Sequence, residues 1–179
     1  MPDLDSFHAA SQTSLPLEQT ALSDQLLAEC NYDLKEVSAL MEPLRNAPQR
    51  CQQTGRYIQA IATQCTGFIA TNLGGQAQLA EVTPMSSTWL VGRSEGCTIQ
   101  LQHRTISRRH AVIGRYSFGF YIADLGSLNG TWVNQHRLEP ARRIVLEDGD
   151  LIQFGMIKVE FFLAKPEFAL LHADETAVC

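Results

Sequence analysis

The sequence lacks any uninterrupted apolar run of about 18 residues, the length that a membrane-spanning helix needs. Its first residues, MPDLDSFHAASQTS, have no basic start followed by an apolar stretch, so no secretory signal peptide is expected. We therefore expect a soluble, cytoplasmic protein with no membrane partner.

Cysteine is scarce and shows no pairing pattern. The five cysteines are odd in number and widely spaced, with no C-x-x-C pair: Cys30, Cys51, Cys65, Cys97 and Cys179. This usage is typical of a reducing compartment, where thiols act as small apolar side chains. No histidine stands near enough to suggest zinc, and we expect neither a metal nor a cofactor.

Charge is sparse at 18% of residues, with a net charge of −5. Residues 76–165 hold ten Lys/Arg and eight Asp/Glu (+2), whereas the remainder holds four and eleven (−7). Between Gly92 and Arg115 there are five arginines and one acid, Glu95, so an acidic chain carries a local anion-attracting surface. A nucleic-acid groove would want a basic domain with interleaved exposed aromatics, so no nucleic-acid partner is expected.

An apolar content of 45% predicts a packed core rather than general disorder. The patterning divides the chain into four parts. We expect a flexible tail at 1–15, a helical segment of two helices at 16–75, an all-β domain at 76–165 and a C-terminal tail at 166–179.

The first predicted helix has one apolar seam. Two interleaved heptad sets form it: Leu27, Leu34 and Met41, and Cys30, Val37 and Leu44. Pro43 is expected to end or kink this helix near Met41, and Pro48 to open the next one.

A second helix is predicted from apolar residues at three- and four-residue steps: Ile58, Ile61, Cys65 and Phe68. A two-helix hairpin buries little surface by itself. Residues 16–73 are therefore expected to pack on the neighbouring domain or to form a homodimer, and the sequence leaves both open.

From Gln76 the pattern changes to short runs rich in Val, Ile, Phe and Trp, separated by turn residues. Asn129-Gly130 and Asp148-Gly149 mark two of the reversals. Many short strands with turn signals about every 8–12 residues predict an all-β sandwich.

Three motifs follow one another where strands give way to loops. They are Gly92-Arg93-Ser94, Ser107-Arg108-Arg109-His110, and the run from Gly126 to Asn134 that contains Ser127-Leu128-Asn129-Gly130-Thr131. Each is weak alone. In this order and spacing, and with Leu146 to Gly155 after them, they resemble the forkhead-associated (FHA) family in its bacterial form over about 90 residues. The resemblance implies an eleven-stranded, mainly-β sandwich whose loops hold a phosphothreonine peptide.

The chemistry of such a site agrees with these residue types. A phosphothreonine carries about −1.5 to −2 charges and three acceptor oxygens. The guanidinium of Arg93 can form two parallel bonds to such oxygens, and Ser107 can donate a short O–H bond. By the resemblance, Asn129 binds the peptide main chain, His110 ties the loop that carries Ser107, and Gly92 and Gly130 allow tight backbone geometry.

Two departures from the family pattern bear on specificity. Leu128 stands where relatives often have a polar or basic residue, so an apolar peptide side chain can be favoured there. The loop before Ser107 contains Gln102-His103-Arg104 where many bacterial relatives are acidic. Arg104 and Arg108 are therefore expected to add to the phosphate field or to select acidic residues near it.

The function expected is a phosphothreonine-dependent adaptor in Ser/Thr-kinase signalling, and not an enzyme. Ser107 and His110 lack the acid partner and nucleophile elbow of a hydrolase. The alternative is a phosphate-independent scaffold that assembles through the helical hairpin. A further hypothesis is that phosphorylated Thr13, Thr20 or Thr176 is captured by the same site.

Overall fold

The computed structural model describes residues 27–28, 30, 33–62, 67–74, 81–82, 86–116 and 119–165, with only the backbone of 81–82. Both predicted tails, Cys65, Cys179 and the three candidate phosphothreonines lie outside these residues. No helix in the described part of the chain is long and apolar enough to cross a membrane.

The described residues contain twelve strands, three of them only two residues long, against the eleven implied by the family resemblance. One helix, α1, precedes them at Leu34–Arg50. The strands are β1 Tyr57–Ala62, β2 Gly67–Thr71, β3 Glu81–Val82, β4 Thr88–Gly92, β5 Ile99–Gln100, β6 Ala111–Tyr116, β7 Gly119–Asp124, β8 Thr131–Val133, β9 His136–Arg137, β10 Ile144–Leu146, β11 Leu151–Phe154 and β12 Ile157–Ala164.

Two sheets form the sandwich. The seven-stranded sheet has the order β3-β2-β1-β12-β11-β8-β9, and the five-stranded sheet has the order β10-β7-β6-β4-β5. Most neighbours are antiparallel, but β1 pairs in parallel with β12 and β4 with β5. The predicted mainly-β sandwich is confirmed.

The core lies between the two sheets and is built around aromatic side chains. Trp89, Phe120, Phe154 and Phe161 are fully buried. The rings of Trp89 and Phe120 lie 5.5 Å apart between centroids, and those of Phe120 and Phe161 lie 6.3 Å apart. Tilted and edge-on pairs at these distances are favourable, so the core gives the loops at each end a rigid base.

Helix α1 packs on the outer face of the seven-stranded sheet. Leu40 is fully buried in a cluster with Ile61 of β1 and Phe68 of β2, and Ala47 packs near Tyr57 and Phe162. At its N-terminus the side chain of Asp33 accepts the N–H of Lys35 at 2.7 Å, a standard cap. The apolar face of the helix is therefore used within the chain.

The prediction of a second helix is wrong, because residues 57–62 and 67–71 are the strands β1 and β2. Every residue of both strands is buried. One face of the strands meets the core between the sheets, and side chains on the other face pack against α1. A strand buried on both faces is apolar throughout and can imitate helical spacing. The predicted boundary at residue 76 consequently cuts the seven-stranded sheet.

The helix does not end near Pro43, and Pro48 does not open a new one, because α1 continues through both prolines to Arg50. Proline in a helix interior costs about 3 kcal/mol, and we attribute its tolerance here to the packing of Leu40 and Ala47 on the sheet. Only one of the two heptad sets faces inward: Leu34 is 73% exposed and Met41 is 40% exposed.

Candidate functional site

Three loops at one end of the sandwich carry the predicted site residues. Arg93 follows β4, Ser107 lies between β5 and β6, and Asn129 lies between β7 and β8. Backbone hydrogen bonds join the first two loops: the N–H of Arg93 donates to the carbonyl of Ser107 at 3.0 Å, and that of Ser94 to Arg108 at 3.1 Å. The structure therefore brings the motif residues to one surface.

The side chain of Arg93 is exposed but anchored. Its Nε donates to the carbonyl of Ile106 at 3.3 Å, which leaves the two terminal nitrogens of the guanidinium for a ligand. Among the described residues no carboxylate forms a salt bridge with it. A guanidinium held by Nε and open at its other end suits a two-point contact with a phosphate.

The hydroxyl of Ser107 faces the third loop. Its Oγ accepts the backbone N–H of Leu128 at 3.1 Å. Because a hydroxyl both accepts and donates, the proton of Ser107 remains available to an anion. The same contact fixes the distance between the serine loop and the loop that carries Asn129.

Asn129 is exposed and held from one side. Its Nδ2 donates to the carbonyl of Thr105 at 2.8 Å, which fixes the orientation of the amide. The second Nδ2 hydrogen and Oδ1 have no described partner, and together they suit the alternating donor and acceptor of an extended main chain.

His110 lies beneath the loops and is fully buried. Its Nδ1 accepts the backbone N–H of Ser107 at 3.1 Å, so Nε2 carries the proton and donates to the carbonyl of Gly130, also at 3.1 Å. Burial lowers the pKa of His110, and the bond to Gly130 only partly opposes this effect. A neutral imidazole thus connects the serine loop with the asparagine loop.

The two motif glycines are required by backbone geometry. A Cβ on Gly92 would lie 2.3 Å from the carbonyl oxygen of Arg108 and 2.9 Å from Sγ of Cys97. Gly130 has a φ of 80°, in the region that side chains rarely adopt. The missing side chain at Gly92 lets its backbone approach that of Arg108 closely. The positive φ of Gly130 allows the turn that follows Asn129.

Two residues that sequence reasoning did not assign to the site support it from below. Thr105 holds the amide of Asn129, and its Oγ1 contacts Nδ1 of His103 at 2.8 Å. Asp124 is 2% exposed, and its carboxylate accepts two backbone N–H groups and two hydroxyls.

The four donors to Asp124 all come from the loop that carries Asn129 or from the strand after it. They are the N–H groups of Gly126 and Ser127 at 2.9 Å, and the hydroxyls of Ser127 and Thr131 at 2.6 Å. Burial alone would raise the pKa of Asp124, but these bonds outweigh it and the pKa is lowered. Gly and Ser two and three positions after an Asp are a turn signature that could have identified this role.

The surface of the site is basic. Arg93, Arg104, Arg108 and Arg109 are all exposed, and neither of the described salt bridges involves them. An excess of positive charge on one surface attracts anionic ligands. Among the described residues, no cluster of three or more His, Cys, Asp or Glu side chains could hold a metal ion.

The family model of the FHA domain matches residues 89–155, which contain all three loops. This part of the chain is therefore a forkhead-associated domain.

Bacterial proteins are among those that this chain resembles. The oxoglutarate dehydrogenase inhibitor of Corynebacterium diphtheriae is 42% identical over 74 residues, covering 41% of this chain and 50% of that protein. The glycogen accumulation regulator GarA of Mycolicibacterium smegmatis is 40% identical over 74 residues, covering 41% and 45%. The chain thus spans half or less of the length of these relatives.

Among solved structures, the FHA domain of an Arabidopsis thaliana hypothetical protein is 34% identical to this chain. The match covers 52% of this chain and 81% of that one, with a TM-score of 0.45.

Proposed function

We propose that this protein binds phosphothreonine peptides and acts as a non-enzymatic adaptor in Ser/Thr-kinase signalling. The observation that carries the proposal is the arrangement at Arg93. Its guanidinium is anchored through Nε to the carbonyl of Ile106, has no carboxylate partner among the described residues, and lies on a loop bonded to Ser107. A dianionic phosphate would supply the missing counter-charge.

Each site residue has a part in this proposal. Arg93 and Ser107 bind the phosphate, Arg108 on the neighbouring backbone adds charge, and Asn129 binds the peptide main chain beside the phosphothreonine. Charge-assisted hydrogen bonds contribute roughly 1.5–3 kcal/mol each. Two or three of them, less the cost of ordering the peptide, lead to a micromolar complex of about −8 kcal/mol.

The setting proposed is the cytoplasm. Cys51 and Cys97 are thiols rather than disulfides, which is the usual state in a reducing compartment. Ser/Thr kinases that act there would create the ligand, and phosphatases would remove most of the binding energy.

The alternative function, a phosphate-independent scaffold, loses its main support. It relied on a helical hairpin with a free apolar face, whereas the structure replaces the second helix by strands and buries Leu40 and Ala47 of α1 against the sheet. A homodimer through residues 16–73 stays a prediction. It would have to use residues that α1 leaves exposed, such as Leu34 and Met41.

The test is fluorescence anisotropy of the full chain with a degenerate phosphothreonine peptide library. Phosphoserine and unphosphorylated versions run beside it, and Arg93→Ala is compared with Arg45→Ala, which removes an exposed arginine from α1. Micromolar binding of phosphothreonine alone, lost in Arg93→Ala and kept in Arg45→Ala, supports the proposal. Equal binding of the unphosphorylated library, or no binding of any pool, would overturn it.

A further inference from the structure

Strand β5 is an open edge of the smaller sheet. Among the described residues, β4 is its only neighbour in the sheet, and the two strands run parallel. In the register of this pair Gly92 lies opposite Gln100, and the N–H of Leu101 donates to the carbonyl of Gly92 at 2.8 Å. Because neighbouring residues of a strand direct their backbone groups to opposite sides, the N–H and C=O of Gln100 point away from β4.

The groups of β4 that Gln100 would need in the other direction have different partners. The carbonyl of Val91 accepts the N–H of His110 at 2.9 Å, and the N–H of Arg93 donates to the carbonyl of Ser107 at 3.0 Å. These bonds agree with a backbone of Gln100 that faces outward. Unpaired N–H and C=O groups at the edge of a sheet are a template for a further strand.

A groove lies beside this edge, with residues of both sheets around it. Its volume is about 630 Å³, within the range of roughly 300–1,000 Å³ that is usual for binding pockets. Gln100 and Leu101 line one side, and Leu73, just after β2, and Ile157, at the start of β12, line the other. Leu101 is buried, and Leu73 and Ile157 pack against the core. A side chain that entered the groove would therefore meet apolar groups.

The groove adjoins the loop proposed to bind phosphate. Nε2 of Gln100 lies 3.4 Å from the carbonyl oxygen of Arg93. Gln102 and His103 also line the groove, and they lead along the chain to the loop that carries Ser107. A partner held at Arg93 is therefore already close to the open edge of β5.

We propose that the edge of β5 is a second interaction surface, at which an extended segment of the partner protein adds a strand to the smaller sheet. The backbone of Gln100 pairs with that segment, and the groove takes one of its apolar side chains. Two backbone hydrogen bonds are too few to hold a separate peptide, but tethering raises the effective concentration to about the millimolar range. The inference thus rests on the proposed function, because the phosphothreonine supplies the tether.

The test compares peptides that share one phosphothreonine core and differ in an extension of about six residues, an ordinary strand length. The extension alternates threonine and valine, which favour strands, or consists of glycine and serine, and it is placed before or after the core in separate peptides. In two further peptides, one or the other alternating set of backbone nitrogens in the threonine–valine extension is methylated, which removes those N–H donors. The gain is the ratio of the affinity of the threonine–valine peptide to that of the glycine–serine peptide.

Two variants of one residue separate backbone pairing from side-chain contact. Gln100→Pro removes the outward N–H, and proline is tolerated at the edge of a sheet when its nitrogen faces outward. Gln100→Ala is the matched control, because it removes the side chain and keeps the N–H. Both variants should bind the unextended core peptide as the wild type does, which shows that the fold and the phosphate loops are kept.

The expected result is a gain of about threefold to tenfold for the wild type with the extension on one side of the core. The gain should fall to near one in Gln100→Pro and with one of the two methylated sets, and it should persist in Gln100→Ala. Equal affinity of the two extensions on both sides, or a gain that survives Gln100→Pro, overturns the added strand.

Amide hydrogen exchange of the wild type gives a readout that needs no variant. The N–H of Gln100 should exchange more slowly in the complex with the threonine–valine peptide than in the complex with the glycine–serine peptide. Equal exchange in the two complexes overturns the added strand as well. Failure of the core phosphothreonine peptide to bind the wild type would instead overturn the proposed function.

Discussion

Oδ1 of the buried Asp124 accepts a hydrogen bond from the hydroxyl of Thr131 at 2.6 Å, across the base of the loop that carries Asn129. This carboxylate fixes both ends of the loop, because its other bonds go to Gly126 and Ser127. The position of the asparagine amide therefore depends on a residue that has no contact with the ligand surface.

Replacing Asp124 by asparagine should impair both folding and binding. An amide can accept through one oxygen only, so its NH2 group must face either the two hydroxyls or the two N–H groups. We expect the free energy of unfolding to fall by about 2–3 kcal/mol, measured by urea denaturation, and phosphopeptide affinity to fall with it. Glu147→Gln, which removes an exposed carboxylate, should change neither.

The effect on affinity has a further test in a double-mutant cycle. If Asp124 acts by placing Asn129, then Asp124→Asn should lower peptide affinity less in an Asn129→Ala background than in the wild type. Additive losses would show that Asp124 affects the site in some other way.

Substitution of Gly92 by alanine should distort the loops that carry Arg93 and Ser107. Its Cβ would lie 2.3 Å from the carbonyl of Arg108, so the two joined backbones must separate. Overpacking of this kind costs about 1–3 kcal/mol, and the displacement of Arg93 should weaken peptide binding. Gly96→Ala in the same loop is the matched control, since nothing lies within 4 Å of its Cβ and both stability and affinity should be kept.

Stability should depend on pH through His110. Its pKa is lowered in the folded state, so the unfolded chain binds the proton more readily. The stabilisation is complete above the ordinary value of about 6.5 and is lost as pH falls from there through the lower folded pKa.

Urea denaturation between pH 8 and pH 5 would measure this dependence. The wild type should lose stability below about pH 6.5, and His110→Asn should be less stable at pH 8 but show a flatter profile. His136→Asn, at an exposed position of β9, should retain the slope of the wild type. An unchanged slope in His110→Asn would contradict the assignment.

The end of α1 is tied to the sandwich by Arg50. Its guanidinium contacts both oxygens of Asp148 at 2.8 and 2.7 Å and lies 4.3 Å from the ring centroid of Phe162. Both charged side chains are more than a third exposed, so solvent screening limits the ion pair. Arg50→Ala should lower stability by about 1 kcal/mol in thermal or urea unfolding without changing peptide affinity. A loss of affinity would show that the helix and the distant loops are coupled.

The positions of Arg93, Ser107 and Asn129 in loops could be predicted from sequence because the signals for loops are local, and their role in binding a ligand stays a prediction. Arg93, Ser107 and Asn129 each follow a strand, and turn residues beside them mark the loops. The contacts that orient them could not be predicted, since the bond from Asn129 to Thr105 joins residues far apart in sequence. Turn signals show that two loops exist but do not show which carbonyl an amide will meet.

The N-terminal half was harder to predict for a physical reason. Apolar periodicity indicates that a side chain is buried, but it does not show which element the side chain packs against. The strand β1 is buried on both faces. Ile58 and Ile61 therefore fit a helical stripe as well as a strand. Similarly, Leu34 and Leu40 are both apolar, and only the shape of the sheet decides that Leu40 is the one covered.

The parallel pairing of β1 with β12 also constrains how the protein folds. Tyr57 lies opposite Glu160, so the centre of the larger sheet joins segments about a hundred residues apart, and such non-local pairing slows folding. During synthesis, β1 cannot pair with β12 until almost the whole domain has left the ribosome. A fragment that starts at residue 76 would lack β1. The backbone N–H and C=O groups of β12 that pair with β1 would then be open to pairing with other chains.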